Sequence, residues 1–143
     1  MNWTIKNFDE LTGKEIYEIL RSRAEVFVKE QRISYVEPDG GDYKSWHVYA
    51  MDNDRVCAYL RAFNDGDDTI KIGRVLTLVH GKGTGTQLMK YAISELKAKT
   101  GCKKIIMDAQ SHAISFYQRL GFTITSEEYL EEGIPHVDME ITL

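Results

Sequence analysis

The chain is short of most of the residues that would advertise a specialised class. It has two cysteines, Cys57 and Cys102, in 143 residues, and they lack both metal-ligand spacing and a local nucleophile signature. A disulfide scaffold and a zinc module are therefore not expected, and no residue is assigned to a metal. Two prolines and the absence of a low-complexity stretch leave no linker, so one domain spanning residues 1–143 is expected. No apolar run approaches the length of a membrane span, and the first residues are too polar for a secretion signal, which points to a cytoplasmic protein. Lysine and arginine form no block, and the formal net charge is −4, so neither nucleic acid nor a membrane surface is expected as a partner. A mildly acidic chain that handles an anion must create positive potential locally.

One segment can do that. His80-Gly81-Lys82-Gly83-Thr84-Gly85 lies between a β-branched run ending near Leu78 and an amphipathic run beginning near Thr86. A glycine turn that leaves a strand and opens a helix exposes main-chain N–H groups at the positive end of the helix dipole, a site for phosphate or diphosphate.

The surrounding pattern sets the architecture. Trp3–Phe8 alternates as a first strand, and Thr12 with Glu15 has capping-box spacing ahead of a helix with Ile16, Ile19, Leu20, Ala24 and Phe27 on one face. Residues 29–45 are polar and read as an irregular, ligand-facing segment with room for one short helix. Trp46–Met51, Val56–Phe63 and Thr69–Leu78 form an antiparallel meander, with Gly73 marking a bulge or a close backbone approach. After the glycine turn, Leu88, Met89, Ala92, Ile93 and Leu96 give a helical face that stops at Gly101, and Lys103–Ala109 is a buried strand. Strand, helix and strand of these lengths form a crossover, so those two strands should be parallel. Ser111 can cap a short helix bearing Ile114, Phe116, Tyr117 and Leu120, and Phe122–Tyr129 with His136–Thr142 makes a last antiparallel pair. The expected fold class is α/β, in detail a mixed, mostly antiparallel sheet with a central parallel pair and helices on both faces.

Two motifs now carry a resemblance. His80-Gly81-Lys82-Gly83-Thr84-Gly85 resembles the Arg/Gln-x-x-Gly-x-Gly/Ala signature of the GCN5-related N-acetyltransferase (GNAT) superfamily, and Ala113–Phe122 resembles that family's Ala-x-x-Phe-Tyr-x-x-x-Gly-Phe helix. Arg23–Gln31, Asp39–Asp42, Ala109–His112 and Gly133–His136 are similar to its ElaA-type branch. His80 departs from the signature's arginine or glutamine, and Gln110 stands where many members carry asparagine.

The resemblance implies the acyl-CoA N-acyltransferase fold and an acetyl-CoA-dependent transfer to a primary amine by direct attack in a ternary complex. It implies that Gly81, Lys82, Gly83, Thr84, Gly85 and Thr86 hold the diphosphate and that the main chain of Val75, Leu76 and Thr77 pairs with the pantetheine arm. Gln110 and Phe116 also line the cofactor site. A main-chain N–H near Leu76–Leu78 would stabilise the oxyanion. Tyr117, which composition alone reads as a core aromatic, would be the general acid. His136 is the first candidate for the base and Glu30 the second, with His112 and His47 behind them. Arg23 and Arg74 read as substrate-carboxylate ligands or as salt-bridged structural groups.

Two other functions fit parts of the pattern. One is a non-catalytic acyl-CoA-binding module. The other is a dinucleotide-dependent oxidoreductase, with Asp108 as its ribose ligand, although the glycine spacing is not Gly-x-Gly-x-x-Gly. The acceptor is a small-molecule or peptide amine, and an exposed terminal hairpin or sheet edge could support a homodimer.

Overall fold

The computed structural model describes residues 1–33 and 37–143. Its strands are β1 (Asn2–Asn7), β2 (Trp46–Asp52), β3 (Arg55–Asn64), β4 (Thr69–Thr77), β5 (Lys104–Gln110), β6 (Thr123–Ile124), β7 (Tyr129–Glu131) and β8 (Ile134–Thr142). Its helices are α1 (Gly13–Arg23), α2 (Thr84–Thr100) and α3 (Ile114–Arg119). The sheet runs β1-β2-β3-β4-β5-β8-β6, with β7 also on β8. Every neighbouring pair is antiparallel except β4 with β5.

Local chemistry accounts for most of these elements. The Thr12 hydroxyl accepts from the Glu15 N–H (3.1 Å) and the Glu15 carboxylate accepts from the Thr12 N–H (2.8 Å), which starts α1. The same carboxylate takes Lys6 (3.0 Å) and the Tyr49 hydroxyl (2.5 Å). Burial opposes its charge, but those donors hold its pKa down at about 2. Asn53 and Asp54 (φ 51° and 61°) turn the β2–β3 hairpin, and Glu132 with Gly133 (φ 51° and 75°) turns β7 into β8.

Two cores sit on opposite faces of the sheet. On one face Ile19 of α1 and Val26 and Phe27 just beyond it pack against Tyr49, Tyr59 and Leu76. On the other, α2 and α3 pack Leu88, Met89, Leu96 and Tyr117 against Val48, Leu60, Ile72 and Met107. Leu88, Met89 and Leu96 are fully buried, each worth about 1.5–3 kcal/mol relative to exposure.

Two local expectations need correction. Beyond Arg23 the first helix continues as a π-helical stretch, Ala24–Glu30. The wider turn rotates the face, so Val26 is buried and Ala24, which the 3.6-residue period placed inside, is exposed. Ser111 does not cap α3: a 3-10 turn, Ser111–Ala113, intervenes, and the Ser111 hydroxyl donates to Glu128 (2.8 Å). The bulge that Gly73 marks is present in β4, and the residue after it, Arg74, carries a positive φ of 53°. There Arg74 and Val75 both face Leu60, between the pairs Arg61↔Gly73 and Tyr59↔Leu76. Within the polar stretch 29–45 the short helix is a 3-10 turn, Gly41–Lys44, while residues 34–36 lie outside the described residues.

The parallel pair opens the middle of the sheet. β4 and β5 pair only from Thr69↔Lys104 to Ile72↔Met107. Beyond that point β4 runs on to Thr77 and β5 to Gln110, so two strand edges diverge at the centre of the sheet.

Candidate functional site

The glycine turn lies where β4 ends and α2 begins. Gly81 and Gly83 both have left-handed φ, 77° and 74°, with exposed Lys82 between them. Gly83 is the N-cap of α2, and no side chain caps that terminus. The first main-chain bond of the helix is Gln87 N–H to Gly83 O (3.1 Å). The N–H groups of Thr84, Gly85 and Thr86 consequently have no acceptor within the helix. A Cβ placed on Gly81 or Gly83 would meet nothing within 4 Å, so the main chain borders open space. Gly85 has a different reason to be glycine: its Cβ would lie 3.3 Å from Phe116 Cζ and 3.9 Å from Thr77 Cγ2. The run of donors, the ring of Phe116 and the end of β4 are therefore contiguous. They fit a diphosphate on the helix terminus and an extended arm on the strand edge.

The divergence of β4 and β5 leaves that edge free. Leu78 N–H is spent on Cys57 O of β3 (2.8 Å). Alternation along the strand turns Leu76 the same way and points the main-chain groups of Thr77 into the opening. Of the main-chain N–H groups from Leu76 to Leu78, that of Thr77 is therefore the one turned to the opening, while that of Leu78 is bonded to β3. Val75 lies within the bulge, and its side chain packs with the α2 core.

Tyr117 is 6% exposed and sits edge-on to both Phe116 (5.1 Å) and Phe122 (5.9 Å). None of the described residues hydrogen-bonds its hydroxyl, and burial raises its pKa above the ordinary phenol value. It is a protonated phenol with an unused donor.

At the far end of β5 the side chains converge from four elements. Gln110 exchanges amide hydrogen bonds with Gln31, which follows the π-helical stretch (2.9 and 3.4 Å), and its Oε1 lies 2.6 Å from His112 Nε2. Across the β5–β8 ladder Gln110 faces His136. His136 is 6% exposed and stacks on Tyr129. Its Nδ1–H donates to Ile134 O (2.7 Å), which leaves the lone pair of the neutral ring on Nε2, 3.4 Å from Glu131. Glu30 is exposed, and among the described residues it makes no ion pair or side-chain hydrogen bond.

Other candidates are accounted for by structure. His47 is buried, with one ring nitrogen on the Tyr59 hydroxyl (2.6 Å) and the other on Asp42 O (2.9 Å); burial, helped by Arg23 and Arg61, depresses its pKa. Arg23 and Arg74 are engaged by acidic side chains, which answers the open reading of those two in favour of structural ion pairs. Gln31 is the residue that periodicity did not single out; its only signal was its place in the Arg23–Gln31 segment. A dinucleotide fold is also excluded, since the sheet holds one parallel pair and one crossover rather than several.

Comparison with known proteins agrees with this geometry. The acetyltransferase (GNAT) domain family matches residues 12–143. Protein ElaA of Escherichia coli is 34% identical over 145 residues, covering 97% of this chain and 95% of ElaA, and its crystal structure superposes with a TM-score of 0.91. The crystal structure of an acyl-CoA N-acyltransferase from Pseudomonas aeruginosa is 36% identical, covers 99% of this chain and 100% of that one, and gives a TM-score of 0.93. At 15% identity an aminoglycoside 6'-N-acetyltransferase complexed with coenzyme A shares the fold, with a TM-score of 0.74 over 97% of this chain and 96% of that one.

Proposed function

The chain belongs to the GNAT acetyltransferase family and is an acyltransferase, and from that premise we propose that it moves an acetyl group from acetyl-CoA to a primary amine by direct attack, with Tyr117 as general acid. The observation that carries the proposal is the continuity of two features. The uncapped N-terminus of α2 meets the unpaired edge of β4, and one ligand with a diphosphate and an extended amide-bearing arm would satisfy both.

The roles follow from chemistry. Acetyl-CoA supplies the activated acyl group. The N–H groups from Gly81 to Thr86 hold its diphosphate, each charge-assisted bond worth about 1.5–3 kcal/mol. Lys82 and Phe116 border the same ligand. Val75 and Thr77 offer main-chain groups to the arm, while Leu76 is turned to β3 and buries its side chain under α1. The Thr77 N–H stabilises charge developing on the thioester oxygen.

The base must remove a proton from the acceptor ammonium. His136 suits this task better than Glu30. The Ile134 carbonyl fixes its tautomer with Nε2 as acceptor, and Glu131 stands ready to stabilise the imidazolium. Glu30 has no such orienting partner among the described residues. Gln110 and Gln31 hold the end of β5 against the π-helical extension of α1 at the mouth of the opening.

Tyr117 supports departure of the thiolate. A phenol above its ordinary pKa of about 10 is a weaker acid than a thiol of about 8.5, so it acts chiefly through a hydrogen bond to sulfur as charge builds there.

A thiol-release screen of acetyl-CoA against an amine library tests the reading. Release with at least one amine, lost or strongly slowed in Tyr117→Phe, supports it. Coenzyme A binding without turnover across the library would instead favour an acyl-CoA-binding module.

A further inference from the structure

The free edge of β4 is braced by an ion-pair network that the transfer chemistry does not explain. Three acids from the segment after α1 meet three arginines from α1, β3 and β4. Arg23 is fully buried and bonds the Glu37 carboxylate, Glu37 O (3.1 Å) and Asp42 Oδ1 (2.7 Å). Arg61 lays its two terminal nitrogens on the two oxygens of Asp39, both at 2.8 Å, and reaches Asp42 Oδ1 at 3.1 Å. Arg74 reaches Glu37 Oε2 (3.2 Å), Glu37 O (3.3 Å) and Asp39 Oδ2 (3.5 Å). The crossing is tight: a Cβ on Gly41 would come within 3.0 Å of both Arg61 Nη1 and Asp39 Oδ1.

These ties converge on the β4 bulge. Arg61 is the register partner of Gly73, and Arg74 is the bulge residue with φ of 53°. Asp39 touches both guanidinium groups, one from each strand of the bulge. The Arg61 hydrogen bonds outweigh burial and hold the Asp39 carboxyl well below the usual carboxylate range, so the brace stays charged. Past Ile72, β4 has lost β5 as a neighbour and depends on β3 and this segment for its course. A left-handed φ is disfavoured for an L side chain and persists only where its surroundings over-determine it.

We infer that Asp39 and Arg74 are positioning residues: by gripping the bulge from both strands they aim the main-chain groups of Val75 and Thr77 at the arm of the bound thioester. This rests on the coenzyme A reading given above. Neither residue touches the reacting atoms. Both act through the backbone just downstream of Arg74.

Calorimetry with two ligands separates this from a general structural role. The first is coenzyme A. The second is adenosine 3'-phosphate 5'-diphosphate, the same head group without the pantetheine arm. In Arg74→Gly and in Asp39→Asn the Kd for coenzyme A should rise about tenfold, the worth of one hydrogen bond. The Kd for the armless nucleotide should stay within about twofold of wild type, and Arg74→Lys should lie between. Glycine accepts the left-handed φ freely, so a loss in Arg74→Gly reports the missing grip rather than backbone strain. That variant also leaves Glu37 on Arg23 and Asp39 on Arg61, so it stands alone if Asp39→Asn does not fold. Equal weakening for both ligands, or no change for either, overturns the brace. Tight wild-type binding with indifferent variants removes the brace alone. Failure of the wild type to bind either molecule removes the coenzyme A reading, and the brace with it.

Discussion

Gly83 offers two substitutions whose rank order in stability should reverse in binding. It is the N-cap of α2 with φ of 74°, and no atom lies within 4 Å of where its Cβ would be. Any L residue there carries strain of about 1 kcal/mol but meets no clash. The charge of the new side chain then divides two variants. Gly83→Glu places an anion at the positive end of the helix, which returns about 0.3–1 kcal/mol, so the free protein should melt within a few degrees of wild type. Gly83→Lys adds the opposite dipole interaction to the same strain, costs about 1.5–2 kcal/mol, and should melt lower. Binding reverses the order. Two diphosphate charges about 6 Å from the new carboxylate, at an effective dielectric of about 40, repel it by about 3 kcal/mol, roughly a hundredfold in Kd. The lysine variant should bind coenzyme A far better than the glutamate variant despite being the less stable protein. Scanning calorimetry of the free proteins and titration calorimetry with coenzyme A measure both quantities. Equal coenzyme A affinity in the two variants would refute the cradle.

Three other outcomes are expected. Tyr117→Phe should lower kcat about 10²-fold while leaving coenzyme A affinity and thermal stability nearly unchanged, because the hydroxyl has no partner among the described residues; unchanged kcat would return Tyr117 to packing alone. His136→Ala should slow aminolysis about 10²-fold and alter the shape of the pH–rate profile, and an identical profile would remove His136 as the base. Glu15, whose pKa falls from 4.5 to about 2 on folding, gives stability that is complete above pH 4.5 and lost as the pH falls toward 2. Glu15→Gln should therefore cost about 3 kcal/mol in urea melts at pH 7 and almost nothing near pH 2; a constant difference across that range would contradict the assignment.

Much of the frame was legible because it rests on local chemistry. The Thr12–Glu15 capping box, the turn residues at Asn53-Asp54 and the period of Leu88, Met89, Ala92 and Leu96 each announce one element with little help from the rest of the chain. The glycine turn was equally clear, since left-handed φ and an uncapped helix terminus leave a mark in residue type. What escaped depends on contacts distant in sequence. The π-helical stretch exists because Val26 and Phe27 must both reach Tyr49 and Leu76, and no periodicity within Ala24–Glu30 announces that. The positive φ at the bulge sits on Arg74, whose side chain Asp39 and Glu37 hold, and nothing local to Arg74 in the sequence announces that. Gln31 meets Gln110 from 79 positions away. Asp39 and Asp42 lie in the polar segment read as ligand-facing, yet they close an ion-pair network only when β3 and β4 supply Arg61 and Arg74. The glycine turn and the uncapped start of α2 were therefore readable, whereas the cluster at the end of β5 was named only residue by residue, because it is assembled from four separate elements.

A crystal structure of the protein with coenzyme A at saturating concentration tests the account most directly. It should show the diphosphate on the main-chain N–H groups between Gly81 and Thr86, with the arm lying between Thr77 and Gln110 and the sulfur within hydrogen-bonding reach of the Tyr117 hydroxyl. The coenzyme seated anywhere else, or in that cleft with its sulfur turned away from Tyr117, would contradict it.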